Sequence, residues 1–230
     1  MKNEYKIQLG IHRVMSLVGG FIGAYTIFNR DVLFGAAQTS NMIYMTVRIL
    51  DGNFKDVLFR FLLWGAYVIG LAAFVFGKKY LQNNLKILCI FFEMIVVIAS
   101  GFLSKNVNQY IAVCPIAIAM ALQWNVFPGV GEYVSSTVFS TNNLRQTVIS
   151  LTEFFIDKDQ AKLAKFKFFG GTLIFYHIGV AASWILTSAF GLKSMWFCVL
   201  PLLTAAFLEL AWNVRKVSTI EQPFIPSVKI

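Results

Sequence analysis

This 230-residue chain has few charged residues, few cysteines and few histidines for its length. Charged residues make up 13% of it, which is too little to cover the surface of a soluble domain. The three cysteines, Cys89, Cys114 and Cys198, all fall inside apolar runs, so no disulfide framework is expected. The two histidines are far apart in sequence, and the cysteines and histidines do not have the spacing of a metal site.

Enzyme signatures are also missing, because no glycine-rich loop followed by Lys-Ser or Lys-Thr is present to bind phosphate. We therefore expect neither an enzyme nor a cofactor. The chain has a net charge of +9, and its basic residues lie at the ends of apolar runs rather than along one soluble face. This distribution argues against nucleic acid as a partner and favours the positive-inside rule of membrane proteins.

Apolar residues are abundant: they make up 57% of the chain, and the mean hydropathy is +0.67. Runs with few charges cover residues 14–28, 57–77, 85–103, 108–128, 168–190 and 194–214. All but the first approach or exceed the roughly 20 helical residues that span about 30 Å of hydrocarbon. The lipid bilayer is therefore an expected partner, and the sequence is also compatible with a homo-oligomer.

One pattern occurs twice along the chain. Tyr67-Val-Ile-Gly-Leu-Ala-Ala73 returns as Tyr176-His-Ile-Gly-Val-Ala-Ala182, and Thr39-Ser40-Asn41 is answered by Ser140-Thr141-Asn142. Two homologous halves follow, residues 1–106 and 107–230, which together form one membrane domain. The match pairs 14–28 with 115–129, 32–50 with 133–151, and 57–77 with 166–186. The last helices, 85–103 and 194–214, are paired by their order alone.

The expected fold is an all-α, polytopic transmembrane helix bundle, and its topology depends on the two polar stretches, 32–50 and 133–152. Each has the length of one helical crossing, which favours about eight membrane segments. The alternative is six spans plus two re-entrant segments. Four crossings in each half would make the repeats parallel, whereas three would make them inverted. Both versions place the N-terminus and the C-terminus in the cytoplasm, in a cell inner membrane or plasma membrane.

The polar stretches are the first candidates for a binding site. A polar group in hydrocarbon costs several kcal/mol unless protein or water supplies a partner, so these side chains should face the bundle interior. The candidate residues that would bind a solute are Thr39, Ser40, Asn41, Ser140, Thr141 and Asn142. The alternative interpretation is hydrogen bonding between helices, worth about 0.6 kcal/mol per contact. The sequence leaves these two interpretations equally open.

Further candidates lie in the apolar runs and at their ends. Glu93 stands in the centre of a span, where an ionisable side chain is a candidate for proton coupling. Gln123 and Asn125 precede Pro128, where a helix end or kink is expected. Arg145 lies one turn beyond Asn142, where it would attract an anion, pair with Glu93 or extend to the interface.

With these residues in view, the chain resembles the YoaK-like family of bacterial multi-pass membrane proteins, a domain of unknown function. The family's Gly-x-x-Asp-Ala and Thr-Gly-Asn elements correspond to Gly20-Phe-Ile-Gly23-Ala24 and Gln38-Thr39-Ser40-Asn41. Its Leu-Gln-Asn and Thr-Thr-x-Met-Thr-Gly-Asn elements correspond to Ala121-Leu122-Gln123-Trp124-Asn125 and the segment from Ser136 to Asn142. Gly23 stands where the family has Asp, Trp124 stands where it has Asn, and both Thr-Gly-Asn elements lack their Gly. The resemblance implies a divergent member and the same architecture, but no established activity.

The function expected from the sequence is that of a secondary transporter or facilitator of a small polar or anionic solute, with Glu93 handling a proton. The alternative is a membrane scaffold or sensor subunit that transports nothing. A water-accessible cavity that reaches Asn41 and Asn142 would favour transport, whereas a fully packed centre would favour the scaffold.

Overall fold

The computed structural model describes residues 2–30 and 35–220, without the side chains of residues 2, 3, 83 and 216–220. Residues 32–34 of the polar stretch 32–50 and the C-terminal residues 221–230 lie outside this description. The described helices are α1 (Lys2–Asn29), α2 (Gln38–Leu50), α3 (Phe54–Tyr80), α4 (Leu85–Phe102), α5 (Gln109–Val126), α6 (Thr141–Asp157), α7 (Gln160–Phe190) and α8 (Val199–Ile220). A hairpin of two short strands, β1 (Gly129–Val130) and β2 (Tyr133–Val134), precedes α6.

Five helical stretches of the described chain are long and apolar enough to cross a membrane. They are Glu4–Asn29, Phe54–Tyr80, Leu85–Phe102, Gln109–Val126 and Gln160–Arg215. The last contains α7, a 3₁₀ segment at Gly191–Cys198, and α8 up to Arg215. A helical membrane bundle is thereby confirmed.

The expected count of eight crossing segments is not met, because α2 and α6 are not among these stretches. α2 has only 13 residues, about 20 Å of helix, and α6 has 17. In both polar stretches the helix begins several residues after the start of the stretch, α2 at Gln38 and α6 at Thr141. The described part of the first begins with the turn that precedes Gln38, and the second begins with the hairpin and an irregular segment before Thr141.

Local capping sets several helix boundaries. The side chains of Asn53, Asn108 and Asp159 accept hydrogen bonds from backbone N–H groups in the first turns of α3, α5 and α7. Such caps satisfy donors that the start of a helix leaves without partners. α6 ends at Asp157, and the next residue, Lys158, adopts a left-handed conformation with φ of 57° that separates α6 from α7.

α1 and α7 pack along much of their length and run in the same direction. Arg13 of α1 donates to the carbonyl of Lys167 near the start of α7, and Asn29 at the end of α1 donates to Thr187 near the end of α7. Gly179 makes the close approach possible, since a methyl group on it would overlap the backbone of α1 at Leu17.

α3 and α5 form a second pair that also runs in one direction. Tyr110, at the start of α5, donates to Asp56 at the start of α3, with a distance of 2.7 Å between the oxygens. Further along, a methyl group on Gly70 would lie 2.6 Å from the carbonyl oxygen of Ile118. A glycine of the repeated motif therefore mediates close helix contact in both pairs.

α4 and α8 lie side by side and run in opposite directions. The indole of Trp196, just before α8, donates to the carbonyl of Ile98 near the end of α4, so α8 begins beside the last turns of α4. Arg30, which follows α1, donates to the carbonyls of Leu103 and Ser104, so α1 and α4 end together. Short connections join α4 to α3 and α5.

Two ends of the bundle can now be distinguished. α1, α4 and α7 begin at one end, which we call the basic end, and they finish at the other, which we call the far end. α3, α5 and α8 run from the far end to the basic end. Lysines cluster at the basic end: Lys6, Lys78, Lys79, Lys86, Lys158, Lys162, Lys165 and Lys167. The main apolar core is formed by buried side chains of α1, α4, α5 and α8 together with the 3₁₀ segment.

Candidate functional site

An irregular segment, residues 135–139, carries polar side chains from the basic end into the middle of the bundle. Ser135 lies beside His12 of α1, and the backbone of Thr137 and Val138 lies against Gly19, more than halfway along α1. α6 then begins and returns to the basic end beside the first half of α7, where Thr147 lies against Gly170. The segment and α6 thus reach into the bundle and come back.

Six buried polar side chains meet around this segment, and none is more than 8% exposed. We call this group the polar centre; it consists of His12, Gln123, Ser135, Ser136, Thr137 and Asn143. It joins α1, α5, the irregular segment and α6. Most of its members are linked by hydrogen bonds, as buried polar groups in folded proteins are.

Hydrogen bonds fix the orientation of Asn143. Its amide nitrogen donates to the carbonyls of Ser136 at 2.7 Å and Phe139 at 3.2 Å, so its amide oxygen faces Ser135. The hydroxyl of Ser135 donates to that oxygen at 2.8 Å. Asn143 therefore holds the irregular segment in its bent path.

The protonation of His12 follows from the same network. The hydroxyl proton of Ser135 is used on Asn143, so Nε2 of His12, 3.1 Å from Ser135 Oγ, must be the donor of their bond. Nδ1 of His12 is then an acceptor, and it is buried without a hydrogen-bond partner among the described residues. The His12 ring also stacks on Phe168, with 5.5 Å between centroids.

Gln123 provides a second open acceptor. Its amide nitrogen donates to the carbonyl of Met15 at 2.7 Å and to the hydroxyl of Thr137 at 3.1 Å. Its Oε1 is buried without a hydrogen-bond partner in the described part of the protein. The polar centre therefore holds two buried acceptors that no hydrogen bond within the described residues satisfies.

A cavity of about 590 Å³ leads from the basic end toward the polar centre. It lies between the last turns of α3, the end of α5 and the irregular segment. Its lining comprises Phe74, Lys78, Trp124, Asn125, Pro128, Val134, Ser135, Ser136, Phe139 and Asn142. Among the described residues that line it, Lys78 is the one ionisable side chain, and it places a positive charge at the cavity.

The predicted site residues of the second half divide between this cavity and the surface. Asn125 and Asn142 line the cavity, and Gln123 belongs to the polar centre. Ser140 is half-buried, whereas Thr141 and Arg145 are exposed. Arg145 donates to Asn142 at 3.3 Å and does not reach Glu93 through any described contact. Asn143, next to the predicted Asn142, is the asparagine buried in the bundle.

The predicted residues of the first half lie elsewhere. Asn41 is buried near the far end, where it donates to the carbonyl of Arg60 at 3.1 Å. Thr39 and Ser40 are exposed, so the expectation that they face the interior is wrong. A helix turn places neighbouring residues on different faces, and only one face of α2 packs on α3. No described contact joins Asn41 to the polar centre.

Asn41 belongs to a charged cluster around Asp56. Arg60 Nε lies 2.8 Å from Asp56 Oδ2, Arg48 lies 3.3 Å from the same oxygen, and Tyr110 donates to Oδ1. The Arg60 guanidinium also lies over the ring of Tyr110 at 5.3 Å. This cluster, which we call the Asp56 cluster, fastens α2, α3 and α5 together at the far end.

Glu93 is fully buried in the apolar core, halfway along α4. The thiol of Cys89 donates to its Oε1 at 3.5 Å. Its Oε2 has no hydrogen-bond partner among the described residues. Within those residues, no group of three or more His, Cys, Asp or Glu side chains is arranged to hold a metal ion.

Next to the cavity, the β1–β2 hairpin carries Tyr133 outside the crossing helices. Partial burial raises the pKa of its phenol above the usual value, and the neighbouring Glu132 carboxylate raises that pKa further. The phenol is therefore neutral at physiological pH. Its ring packs on Phe168, 5.1 Å between centroids, which anchors the hairpin against the start of α7.

Comparison with known families supplies the classification. The family model described as "Protein of unknown function (DUF1275)" matches residues 11–208. The chain belongs to the DUF1275 family. The match spans the elements from α1 to α8, includes both the polar centre and the Asp56 cluster, and is consistent with the resemblance to YoaK-like proteins. No curated protein and no solved structure matched the chain. Membership of the DUF1275 family therefore brings no established activity.

The sequence contains a signal for His12, a member of the polar centre that the sequence analysis did not predict. His12, Ser16 and Gly19 recur at helical spacing and so share one face of α1, a polar and small-residue face inside an apolar run. The irregular segment packs against that face of α1. The residues Ser135, Ser136 and Thr137 were visible as polar, but their contact with His12 depends on long-range packing.

Proposed function

We propose that this protein is a secondary transporter or facilitator of a small polar or anionic solute across a bacterial membrane. The observation that carries the proposal is the cavity of about 590 Å³ that leads to the buried polar centre from one end of the bundle. Its volume is in the range of sites for small molecules. Ser135 and Ser136 of the polar centre line this cavity, and this contact supports solute binding rather than helix packing alone.

The helix contacts support two homologous halves. Gly70 and Gly179 occupy the same position in the repeated motif, and Ile118 and Leu17 are counterparts in the matched runs 115–129 and 14–28. The contact of Gly70 with Ile118 is therefore equivalent to that of Gly179 with Leu17. The third helix of each half packs against the first helix of the other half, so the halves, residues 1–106 and 107–230, are intertwined.

The helix directions support inverted repeats. α1 runs toward the far end, whereas its counterpart α5 runs toward the basic end. The same reversal holds for α3 and α7, and for α4 and α8. With α2 and α6 each returning to the end they came from, every half has three crossing helices and one re-entrant helix. Inverted repeats with interrupted helices near the centre are a common plan of secondary transporters.

The site chemistry favours a small organic anion that also carries hydroxyl or amino hydrogens. Lys78 in the cavity would attract an acidic group, and the positive charges of Arg13 and Lys86 also act on His12. The hydroxyl groups of Ser135 and Ser136, which line the cavity, would exchange hydrogen bonds with the solute. Asn142 and Asn125, at the cavity wall, would bind it on the way.

The proposed transporter has a defined orientation in the membrane and a residue that couples transport to a proton. The positive-inside rule places the basic end in the cytoplasm, so the cavity opens inward. Glu93, buried in the core, would take up and release the coupling proton. The Asp56 cluster closes the opposite end by tying α2, α3 and α5 together. Alternating access would open the far end and close the cavity.

A cysteine at Asn142 tests this proposal without a known substrate. In a variant whose native cysteines are replaced, Asn142→Cys should react with a membrane-impermeant maleimide from the basic-end face, and more slowly from the far-end face as the protein alternates. Leu144→Cys is the matched control, because Leu144 is exposed on the same helix but does not line the cavity. Reaction from one face alone would rule out alternating access.

A scaffold or sensor without transport is the second candidate. The observation that favours it is the Asp56 cluster, whose hydrogen bonds and ion pairs make a rigid joint between helices at the far end. A permanently closed far end would leave the cavity as a pocket for a regulatory ligand. The labelling of Asn142→Cys from two faces separates this candidate from the transporter.

A further inference from the structure

Another cavity lies at the far end of the bundle, between the end of α1 and the loop that joins α4 to α5. Its volume is about 450 Å³, which is within the range of small-molecule sites. The described residues that line it are mostly polar: Phe28, Asn29, Arg30, Lys105, Asn106, Val107, Asn108 and Gln109. Two of these residues are cations and none is a carboxylate, so this part of the lining carries positive charge.

Arg30 is a buried cation in this lining, with 4% of its surface exposed. Its Nη1 donates to the carbonyl of Ser104 at 3.1 Å, and its Nη2 donates to the carbonyl of Leu103 at 3.4 Å. These bonds hold Arg30 at the end of α4, where the helix carbonyls together represent only about half an elementary negative charge. Because a buried charge is costly unless it is compensated, the rest of the charge on Arg30 favours an anion in the cavity.

The described carboxylates of the far end are engaged elsewhere. Asp56 pairs with Arg60 and Arg48, and Asp51 pairs with Arg48. No contact within the described chain joins either aspartate to Arg30 or Lys105. The two cations of the cavity therefore have no carboxylate partner among the described residues.

The loop that borders the cavity is held in one shape by its own hydrogen bonds. The backbone N–H of Asn106 donates to the hydroxyl of Ser104 at 3.2 Å, and that of Val107 donates to the Ser104 carbonyl at 3.2 Å. Asn108 Oδ1 accepts from the N–H of Tyr110 at 3.0 Å, so the NH₂ group of this side chain is left to donate to a ligand. The site is therefore formed before a ligand binds.

We propose that this far-end cavity binds an oxyanion, the carboxylate or phosphate group of a ligand. Arg30 and Lys105 supply the positive charge, and Asn108 supplies an amide donor. Hydrogen bonds from charged donors to such groups are short and strong, and a guanidinium fits their geometry. The site lies at the opposite end from the cavity beside the polar centre. It is therefore separate from the proposed transport and does not require that a solute cross the membrane.

One introduced thiol measures both the local charge and the binding. Asn106→Cys, in a variant whose native cysteines are replaced, is treated in detergent with an anionic and a cationic methanethiosulfonate reagent of similar size. Relative to their rates with a free thiol, the anionic reagent should react several-fold faster than the cationic one. Inorganic phosphate or succinate, added at constant ionic strength, should slow the reaction several-fold. Ser188→Cys is the matched control, since it is exposed near the end of α7 and does not line the cavity.

Removing the cations should remove both effects. Lys105→Gln should abolish the preference for the anionic reagent and the protection by phosphate, and Lys105 is exposed, so the fold should be unaffected. Arg30→Gln should have the same result, and its thermal unfolding midpoint shows whether the variant is folded, since Arg30 also holds the loop. If Arg30→Gln does not fold, Lys105→Gln decides the question. Lys55→Gln removes an exposed charge at the same end but outside the cavity lining, and it should change neither effect.

Two results would overturn the proposal. The first is the same reagent preference at Asn106→Cys as at Ser188→Cys, or protection that survives Lys105→Gln. The second is protection that appears only after Asp31→Asn, because the carboxylate next to Arg30 in the sequence would then be the group that fills the site.

The source of the anion is found by repeating the measurement in liposomes. Protection by phosphatidylglycerol without added phosphate assigns the site to a lipid headgroup, whereas protection by soluble anions alone assigns it to a soluble ligand, and both results support an oxyanion site. Labelling of Asn142→Cys from one face alone would remove the transporter and leave these results unaffected.

Discussion

Gly179 of α7 lies directly against the carbonyl oxygen of Leu17 of α1, with no room between the two backbones for a side chain. Gly70 of α3 has the same relationship to Ile118 of α5. Close backbone approach of this kind holds membrane helices together by van der Waals contact, because the hydrophobic effect that drives the folding of soluble proteins is weak in lipid. The two contacts connect the first and second halves of the chain.

Substituting these glycines should therefore destabilise the bundle. Gly179→Ala and Gly70→Ala force a methyl group into backbone atoms, which should cost about 1–3 kcal/mol and lower the thermal unfolding midpoint in detergent. Gly65→Ala, in the same helix as Gly70, is the control because nothing lies within 4 Å of its added methyl group. Equal midpoints for all three variants would contradict the close contacts.

The topology can be tested by the side from which introduced cysteines react. Glu132→Cys and Lys158→Cys flank the irregular segment and α6, so both should react with an impermeant maleimide from the basic-end face. Asn53→Cys and Lys105→Cys should react from the opposite face. An eight-crossing protein would place Glu132 and Lys158 on different faces, which this measurement would reveal directly.

The sequence predicted the membrane bundle and the polar stretches because composition and repeated motifs are local properties. It did not predict that Asn41 and the polar centre lie in different parts of the bundle. That separation depends on how α2 packs on α3 and α6 on α7, which periodicity does not specify. Asn142 and Asn143 show the limit clearly, since one residue faces the cavity and its neighbour faces the interior.

Those two asparagines should respond differently to substitution. Asn143→Ala removes the bonds to Ser135, Ser136 and Phe139 and leaves their polar atoms buried, which should destabilise the protein by about 1–3 kcal/mol. Asn142→Ala removes a side chain that lines the cavity, and its unfolding midpoint should stay near that of the unaltered protein. The midpoints in detergent give the comparison, and a larger loss for Asn142→Ala would mean that the network is wrongly assigned.

Substitutions in the Asp56 cluster should destabilise the protein by amounts that depend on the contact each one removes. Asp56→Ala leaves Arg60, which is 9% exposed, without its carboxylate, and breaking such a pair should cost about 3 kcal/mol. Tyr110→Phe removes one hydrogen bond to the same carboxylate and should cost about 1 kcal/mol. Asp51→Ala breaks an exposed ion pair with Arg48, so its effect should stay below about 1 kcal/mol. Unfolding midpoints should fall in that order, and an Asp56→Ala variant as stable as Asp51→Ala would show that the cluster does not fasten the far end.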